Sequence, residues 1–362
     1  MSCEQPTPRD DAPQHAPRPL PLFLSMLRSE TAASPTRRAA ALAGLARYQA
    51  ADRPPPPAPL PYERRHGRAR LTGTGAGAGG GGGGGGWPVV LVPSLINPPT
   101  ILDLSADTSL LRWLAARGHA AWLLDWGTPG ADDRDLDIAG HVERLLLPLL
   151  ATLDEPPTLV GYCLGGTIAA AAAMLVPVAG LATIAAPWRF DGYGEARADI
   201  ARHWGGAEKG CAAMGLVPME LLQTGFWMLD PARTIAKYEA FATMADDATA
   251  QAFVRLEDWA NAGPPLTLAA GRDLFEAMIA QDRPGRGEWR VAGRRIDIHR
   301  LPCPTVEFVS LTDRIVPAAT AAGLPDRRDV AAGHVGMIVG SRAKTGLWVP
   351  LADWIATLPR ST

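Results

Sequence analysis

The chain has 362 residues and a formal net charge of −2. This length suits one large α/β domain with a tail, or two small domains. Acidic and basic residues nearly balance and no Lys/Arg-rich block occurs, so nucleic acid is not expected as a partner. Cys3, Cys163, Cys211 and Cys303 lie far apart and predict neither a disulfide framework nor a CxxC metal site. No metal is expected.

Two features of the sequence bear on where the protein works. The N-terminal stretch MSCEQPTPRDDAPQ has no apolar core and does not predict a secretory signal, and few cysteines suit a reducing cytoplasm. The apolar segment 168–186 is interrupted by Pro177 and Gly180. Because a parallel strand buried on both faces is also continuously apolar, we predict a helix over 165–175 and a strand over 178–184, not a membrane span.

The N-terminal region differs in composition from the rest. Residues 1–60 are polar and proline-rich, which predicts a largely disordered arm that contains a short helix. The helix pattern falls within 21–50 and has Leu42, Leu45 and Tyr48 on one side.

Residues 61–86 comprise a basic stretch and a glycine-rich loop, with eight consecutive glycines from Gly79. Glycine loses the most conformational entropy when it is ordered, and no helix opens directly behind the run. We therefore interpret the run as a loop between an edge strand and the core, not as a phosphate-binding site.

From Trp87 onward, apolar runs of strand length alternate with amphipathic helix patterns. This alternation predicts the α/β class, with a doubly wound and mostly parallel sheet. The core is predicted to comprise 87–187 and 291–362. Residues 188–290 are helical in pattern and rich in Trp and Met, so they predict a cap, or lid, inserted into the core.

The stretch LVGYCLGGTIAAAAAML contains the strongest chemical motif. An apolar strand pattern runs into Cys163 and then into a helix pattern, which resembles the turn on which α/β-hydrolases carry a nucleophile. Gly161, Gly165 and Gly166 are the small residues that such a sharp turn requires. The N-terminus of the following helix would favour the thiolate, so Cys163 is the predicted nucleophile.

A nucleophilic thiol needs a base and an acidic partner, which follow the nucleophile in the order acid, then histidine, in this kind of fold. Asp313 in FVSLTDRIVP comes just after a predicted strand, and His334 in AAGHVGM lies in a glycine-flanked loop. They are the predicted acid and histidine. The oxyanion hole is predicted to use the backbone N–H groups of Leu164 and of the loop after the first core strand, at Leu95.

The core and cap together resemble the catalytic subunit of polyhydroxyalkanoate synthases, the PhaC family, within the α/β-hydrolase superfamily. The resemblance extends from Trp87 to Trp354 and keeps the family order. The matching stretches are LVPSLINPPTILDL, SLLRWLAARGH, LLDWGTP, GYCLGGT, VPMELLQTGFWML, VRLEDWA, GRRIDI, TDRIVP and GHVGM.

This resemblance implies an acyltransferase that polymerises 3-hydroxyacyl-CoA into polyester and releases CoA. Cys163 would hold the acyl group as a thioester, His334 would deprotonate the thiol, and Asp313 would help activate the 3-hydroxyl of the incoming unit. Coenzyme A enters as a thioester substrate, and no cofactor is implied. The Trp- and Met-rich cap, with Phe226, Trp227 and Met228, would cover an apolar acyl tunnel, or these side chains are simply the packing of a helical subdomain.

The resemblance also implies partners. These are the 3-hydroxyacyl-CoA substrate, the growing polyester chain or the surface of its granule in the cytoplasm, an accessory synthase subunit, and a second copy of the chain in a homodimer. Two alternatives stay open: a thioesterase or intracellular polyester depolymerase on the same scaffold, and a non-catalytic relative. Twenty residues separate Asp313 from His334, fewer than is usual in the family, so their distance is the point to check.

Overall fold

The computed structural model describes residues 15–75 and 86–359. The glycine run therefore lies almost wholly outside the described residues, as does the beginning of the predicted N-terminal arm. The chain divides into two compact units. The helical unit comprises Met1–Pro55 and Asp230–Asn261, and the sheet unit comprises Pro56–Leu229 and Ala262–Thr362.

All strands found in the described residues lie in the sheet unit. Among the described residues they are β1 (Tyr62–His66), β2 (Ala69–Gly73), β3 (Gly86–Val92), β4 (His119–Asp125), β5 (Thr158–Tyr162), β6 (Gly180–Ile184), β7 (Leu216–Val217), β8 (Leu266–Thr267), β9 (Arg290–Val291), β10 (Arg294–Arg295), β11 (Thr305–Ser310) and β12 (Arg327–Val330).

Both units contain helices. The α-helices of the described residues are α1 (Leu20–Glu30), α2 (Pro35–Ala50), α3 (Leu110–Ala115), α4 (Ile138–His141), α5 (Leu147–Leu150), α6 (Leu164–Leu175), α7 (Ala196–Met214), α8 (Met219–Met228), α9 (Pro231–Ala242), α10 (Asp247–Ala260), α11 (Leu268–Arg272), α12 (Gly336–Val339) and α13 (Val349–Ala356). Segments of π-helix over Val142–Leu146 and Asp273–Ala280 directly follow α4 and α11, and a third over Lys344–Trp348 directly precedes α13.

The main sheet has eight strands within the described residues, in the order β1-β2-β4-β3-β5-β6-β11-β12. The strands from β4 to β12 in this order pair in parallel, whereas β1–β2 and β2–β4 pair antiparallel. Every residue of β5 and β6 is buried, as expected for central strands covered on both faces. The predicted mostly parallel α/β sheet is confirmed.

The apolar segment 168–186 forms part of helix α6 and all of strand β6, which confirms the prediction of two buried elements. Residues 164–173 of α6 are buried on all sides, so this helix lies inside the protein core. No helix among residues 15–75 and 86–359 has the length and apolar character that a membrane span requires.

The basic stretch 61–75 contains more structure than the sequence analysis predicts. Strands β1 and β2 form an antiparallel hairpin, and β2 continues the sheet beside β4. All of β1 is exposed, because it is the outer strand, and its charged side chains are typical of a protected sheet edge. The predicted edge strand before the glycine run is therefore present, as two strands, whereas β12 was not predicted, because its sequence, RRDV, lacks a strand-like apolar pattern.

The helical unit is built from α1, α2, α9 and α10. Gly44 lets α2 approach α9 closely, since a Cβ at this position would lie 1.9 Å from the carbonyl oxygen of Tyr238. Aromatic rings fill the space between the helices in edge-to-face and stacked pairs, namely Phe23, Tyr48, Tyr238, Phe241 and Phe253.

Two carboxylates, the buried Glu257 and the half-buried Asp258, hold this aromatic cluster together. The Tyr48 hydroxyl donates to Asp258 at 2.6 Å, and the Tyr238 hydroxyl donates to Glu257 at 2.8 Å. Arg53 also donates to Asp258, at 3.1 Å. Asp258 therefore binds two side chains of the N-terminal segment, and Glu257 binds a side chain of α9.

The short helix predicted within 21–50 is present as two helices, α1 and α2, so this part of the N-terminal arm is more ordered than the sequence analysis predicts. Of the three residues that the sequence analysis places on one side of the predicted helix, Leu45 and Tyr48 are buried, whereas Leu42 is 44% exposed. The buried stripe of α2 consists of Ala41, Gly44, Leu45 and Tyr48. The residues that this stripe packs against lie about 200 residues later in the chain, so the local sequence does not reveal them.

Candidate active site

Cys163 lies at the sharp turn between β5 and α6. Its φ of 57° and ψ of −136° are outside the regions that side-chain-bearing residues favour, so the backbone is strained at this residue. Its N–H donates to the carbonyl of Ile184 at 2.9 Å, and its own carbonyl accepts from the N–H of Gly166 at 2.9 Å. The turn therefore presents the Cys163 side chain at the carboxyl end of a central strand.

The glycines around Cys163 are required by close packing. A Cβ on Gly165 would lie 2.1 Å from the carbonyl oxygen of Val92, and one on Gly161 would lie 2.4 Å from the Cα of Gly166. Any side chain at either position would collide with backbone. The sequence-based reason for these residues, that bulk beside the turn would clash, is confirmed.

Asp313 and His334 are brought together in spite of the short segment between them. His334 Nδ1 lies 2.5 Å from Asp313 Oδ2, and both side chains are buried. The other carboxylate oxygen, Oδ1, accepts the N–H groups of Ile315 at 2.7 Å and of Val316 at 3.0 Å. Asp313 thus stabilises its own turn and orients the imidazole at the same time.

The charge state of His334 depends on two neighbours. Burial lowers the pKa of the imidazole, because burial disfavours the charged form. The negative charges of Cys163 and Asp313, together with hydrogen bonds to both side chains, outweigh burial and raise the pKa from 6.5 to about 10. The site therefore favours a positively charged imidazolium at neutral pH, and a positive charge next to a cysteine is the arrangement that activates a cysteine nucleophile.

The loop that carries His334 is held through its carbonyl groups. The Ser310 hydroxyl donates to the carbonyl of Ala332, and Arg342 donates to that of Ala331 at 3.2 Å. The Tyr162 hydroxyl donates to the carbonyl of His334 itself, at 3.3 Å. Sequence analysis did not identify these anchors, since Ser310, Arg342 and Tyr162 are common residue types and no motif marks them as partners of the loop.

The two predicted oxyanion donors occupy suitable elements. Leu164 is the first residue of α6, so its N–H has no carbonyl one turn earlier to bind within the helix. Leu95 lies in the loop after β3, and the Pro93 carbonyl of this loop lies against Gly165. The neighbouring Ile96 N–H is already engaged, because it donates to Ser94 Oγ at 3.1 Å.

The remaining predicted site residues lie in α8. The Trp227 side chain is buried, whereas that of Met228 is 62% exposed and Phe226 is half-buried. A separate cavity of about 290 Å³ in the sheet unit is lined largely by charged side chains, including Asp135, Asp137, Arg272 and Asp273. None of Cys163, Asp313 and His334 lines this cavity.

Comparison with known proteins gives both a family and a set of named relatives. The sequence profile described as "Alpha/beta hydrolase family" matches residues 66–345. The chain is 30% identical to the poly(3-hydroxyalkanoate) polymerase subunit PhaC of Haloferax mediterranei, over 74% of the chain and 58% of that protein. It is 28% identical to the PhaC subunit of a Synechocystis species, over 74% of the chain and 77% of that protein.

A third relative is the PhaC subunit of Allochromatium vinosum, which is 26% identical over 74% of the chain and 80% of that protein. The chain spans 58% and 60% of the lengths of the PhaC subunits of Haloferax mediterranei and Haloarcula marismortui. The matched profile covers most of the chain and includes Cys163, Asp313 and His334. The chain therefore belongs to the alpha/beta hydrolase family, and within it the chain is a sequence relative of the PhaC polymerase subunits.

Proposed function

We propose that the protein is a polyhydroxyalkanoate synthase, an acyltransferase that joins 3-hydroxyacyl units from coenzyme A into a polyester. The observation that carries this proposal is the strained turn with a cysteine, rather than a serine, interacting with the His334–Asp313 pair. The similarity to subunits named poly(3-hydroxyalkanoate) polymerase supports the same substrate class.

In the first step the Cys163 thiolate attacks the carbonyl carbon of the acyl-CoA. The negative charge that develops on the carbonyl oxygen is stabilised by the N–H groups of Leu164 and Leu95. The C–S bond to coenzyme A then breaks, and the leaving thiolate takes the proton held by the His334 imidazolium. The products are a thioester on Cys163 and free coenzyme A.

In the second step the 3-hydroxyl of another unit attacks the Cys163 thioester. Neutral His334 takes the hydroxyl proton, an oxygen ester forms, and the cysteine leaves as a thiolate beside the imidazolium. Both Asp313 oxygens are engaged, one by His334 Nδ1 and the other by backbone N–H groups. Asp313 therefore helps to activate the hydroxyl through His334, by orienting the ring and stabilising its charge.

A thiol suits this sequence of steps better than a hydroxyl would. Acyl transfer from the thioester of coenzyme A to the thioester of Cys163 costs little free energy, so the acyl group stays activated until an alcohol accepts it. A serine would hold it as a more stable oxygen ester. If water rather than a hydroxyacyl unit reached the thioester, the same site would be a thioesterase, which is the competing function.

The proposal extends to partners and location. The growing polyester chain would remain at the site, which would place the enzyme at a granule surface in the cytoplasm. An accessory synthase subunit and a second copy of the chain are further proposed partners. They rest on the resemblance to the PhaC family alone.

The test is an assay of purified full-length protein with 3-hydroxybutyryl-CoA that follows thiol release and insoluble polyester together. It is run with the protein alone and with a synthase accessory subunit added. Thiol release with polymer supports the proposal, whereas thiol release without polymer identifies a thioesterase. A lack of both activities in both arms would contradict the proposed substrate.

The matched variants are Cys163→Ala and Cys303→Ala. Cys303 is another free and half-buried cysteine, at which burial raises the pKa to about 11. We expect Cys163→Ala to lower activity by at least about 10³-fold, as loss of a covalent nucleophile does, and Cys303→Ala to keep it. Retained activity in Cys163→Ala would exclude both the synthase and the thioesterase mechanism.

A further inference from the structure

We propose that Tyr162 is a positioning residue for His334, and that it links the nucleophile turn to the histidine loop. Tyr162 is the last residue of β5 and directly precedes Cys163. Its ring stacks on the His334 imidazole with the centroids 4.9 Å apart and the planes at 29°. Its hydroxyl donates to the His334 carbonyl at 3.3 Å. One side chain therefore holds both the ring and the backbone of the histidine.

The second contact depends on the Tyr162 hydroxyl keeping its proton. Tyr162 is almost fully buried, and burial raises its pKa well above the usual value, with the nearby charges of Cys163 and Asp313 acting in the same direction. The hydroxyl therefore stays protonated over the working range of pH. It acts as a constant donor to the His334 carbonyl and takes no part in proton transfer.

The stacked Tyr162 ring restricts a tilt of the His334 imidazole that the bond to Asp313 leaves free. Asp313 binds the imidazole at Nδ1, and this bond lies along the edge of the ring. Rotation about that bond would still tilt the ring and change the direction in which its opposite nitrogen points. The Tyr162 face opposes this tilt, and an aromatic face also attracts the imidazolium that forms in each step. Because Tyr162 and Cys163 are adjacent in the chain, the histidine is aligned to the same strand that carries the nucleophile.

The inference rests on the proposed Cys163–His334 pair, but its test does not require the synthase reaction. The rate of alkylation of Cys163 by iodoacetamide reports the thiolate, and it is followed across pH by mass spectrometry of the Cys163 peptide. The variants are Tyr162→Leu, which removes the ring, and Tyr162→Phe, which keeps the ring and removes the hydroxyl. Tyr48→Phe is the control, since Tyr48 is a buried tyrosine of the helical unit with its own hydrogen bond.

We expect Tyr162→Leu to slow alkylation of Cys163 at neutral pH roughly tenfold and to move its pH midpoint upward, because the imidazolium loses its alignment with the thiolate. Tyr162→Phe should slow alkylation by about two- to fivefold, because it loses one neutral hydrogen bond and keeps the ring. Tyr48→Phe should leave the alkylation profile of Cys163 unchanged, although it should lose about as much thermal stability as Tyr162→Phe.

An unchanged alkylation profile in folded Tyr162→Leu would overturn the inference. If that variant does not fold, Tyr162→Phe decides, and an alkylation rate equal to that of Tyr48→Phe would overturn it. A loss of polymer formation with normal alkylation in all variants would count against a positioning role as well. Absence of synthase activity in the unmodified protein would instead contradict only the proposed function.

Discussion

The turn at Cys163 and the loop at His334 are held by different kinds of contact. At the turn, backbone packs on backbone so closely that Gly165 leaves no room for a Cβ beside Val92. In the loop, carbonyl groups are held by side chains from separate segments, among them Ser310 and Tyr162. A turn of the first kind is visible in a local motif, whereas a loop of the second kind is specified by residues scattered over the chain.

This difference predicts different responses to substitution. Backbone packing has no flexible group that can move aside, so a change at the turn should cost the fold itself. In a loop held by several side-chain donors, each substitution should remove only one of them. We therefore expect each one to disturb the position of His334 slightly and to cost little stability. The following predictions test this contrast, from the largest expected effect to the smallest.

The largest effect is expected for Gly165→Ala. Its Cβ would lie 2.1 Å from the Val92 carbonyl oxygen and 2.5 Å from that of Pro93. We expect the free energy of unfolding to fall by at least about 3 kcal/mol, or the protein to be insoluble, because both neighbours are backbone atoms. Urea unfolding measures the loss.

Gly210→Ala is the matched control for this substitution. Gly210 lies inside α7, and a Cβ there would meet nothing within 4 Å. Since alanine is the better helix former, the control should be stabilised by about 0.5–1 kcal/mol. If Gly165→Ala unfolded at the same urea concentration as the unmodified protein, the close packing at the turn would be refuted.

Asp313→Asn should have the next largest effect, on activity rather than on folding. The amide cannot stabilise the His334 imidazolium as a carboxylate does, so we expect polymer formation to fall roughly 10²–10⁴-fold. The acyl thioester on Cys163 should still form and accumulate, which mass spectrometry of the intact protein would detect. Asp329→Asn, in an exposed ion pair with Arg327, should behave as the unmodified protein does. A normal polymer yield in Asp313→Asn would show that the acid has no such role.

The raised pKa of His334 predicts a dependence of stability on pH. Because its pKa in the folded state is about 10 against an ordinary 6.5, the imidazolium stabilises the fold fully below pH 6.5. This contribution is lost as the pH rises through 10. The excess stability of the unmodified protein over His334→Gln, measured by urea unfolding, should therefore shrink steadily across this range.

Removing the Cys163 thiol should change the pH range over which His334 stabilises the fold. In Cys163→Ala the negative charge that contributes most to raising the His334 pKa is gone, so the histidine contribution should disappear at a lower pH than in the unmodified protein. A stability difference that stays constant from neutral to alkaline pH would contradict the pairing of His334 with Cys163.

The smallest effect is expected for Ser310→Ala, which removes one anchor of the histidine loop. The Ala332 carbonyl loses its donor while the others remain, so we expect activity to fall by roughly two- to tenfold and stability by about 1 kcal/mol. Thr345→Ala removes an exposed hydroxyl bound to the Arg342 carbonyl and should change neither. A loss in Ser310→Ala as large as that in Gly165→Ala would remove the contrast between turn and loop.

Much of the fold could be predicted from local patterns. The apolar runs identified β3 to β6 and β11, and the Gly-x-Cys-x-Gly-Gly box identified the turn at Cys163, because both depend on residues close together in the chain. The predictions failed where a partner lay far away. Helices α1 and α2 are ordered against α9 and α10, and β12 is a strand because β11 lies beside it.

The sequence by itself determined the α/β class, the position of Cys163 and the order of Asp313 and His334 behind it. Only the tertiary structure decided that His334 Nδ1 lies 2.5 Å from Asp313 and that Tyr162 stacks on the imidazole. The physical reason is the range of the interactions. Hydrophobic periodicity and glycine turns act over a few residues, whereas the contact between Tyr162 and His334 joins positions 172 residues apart.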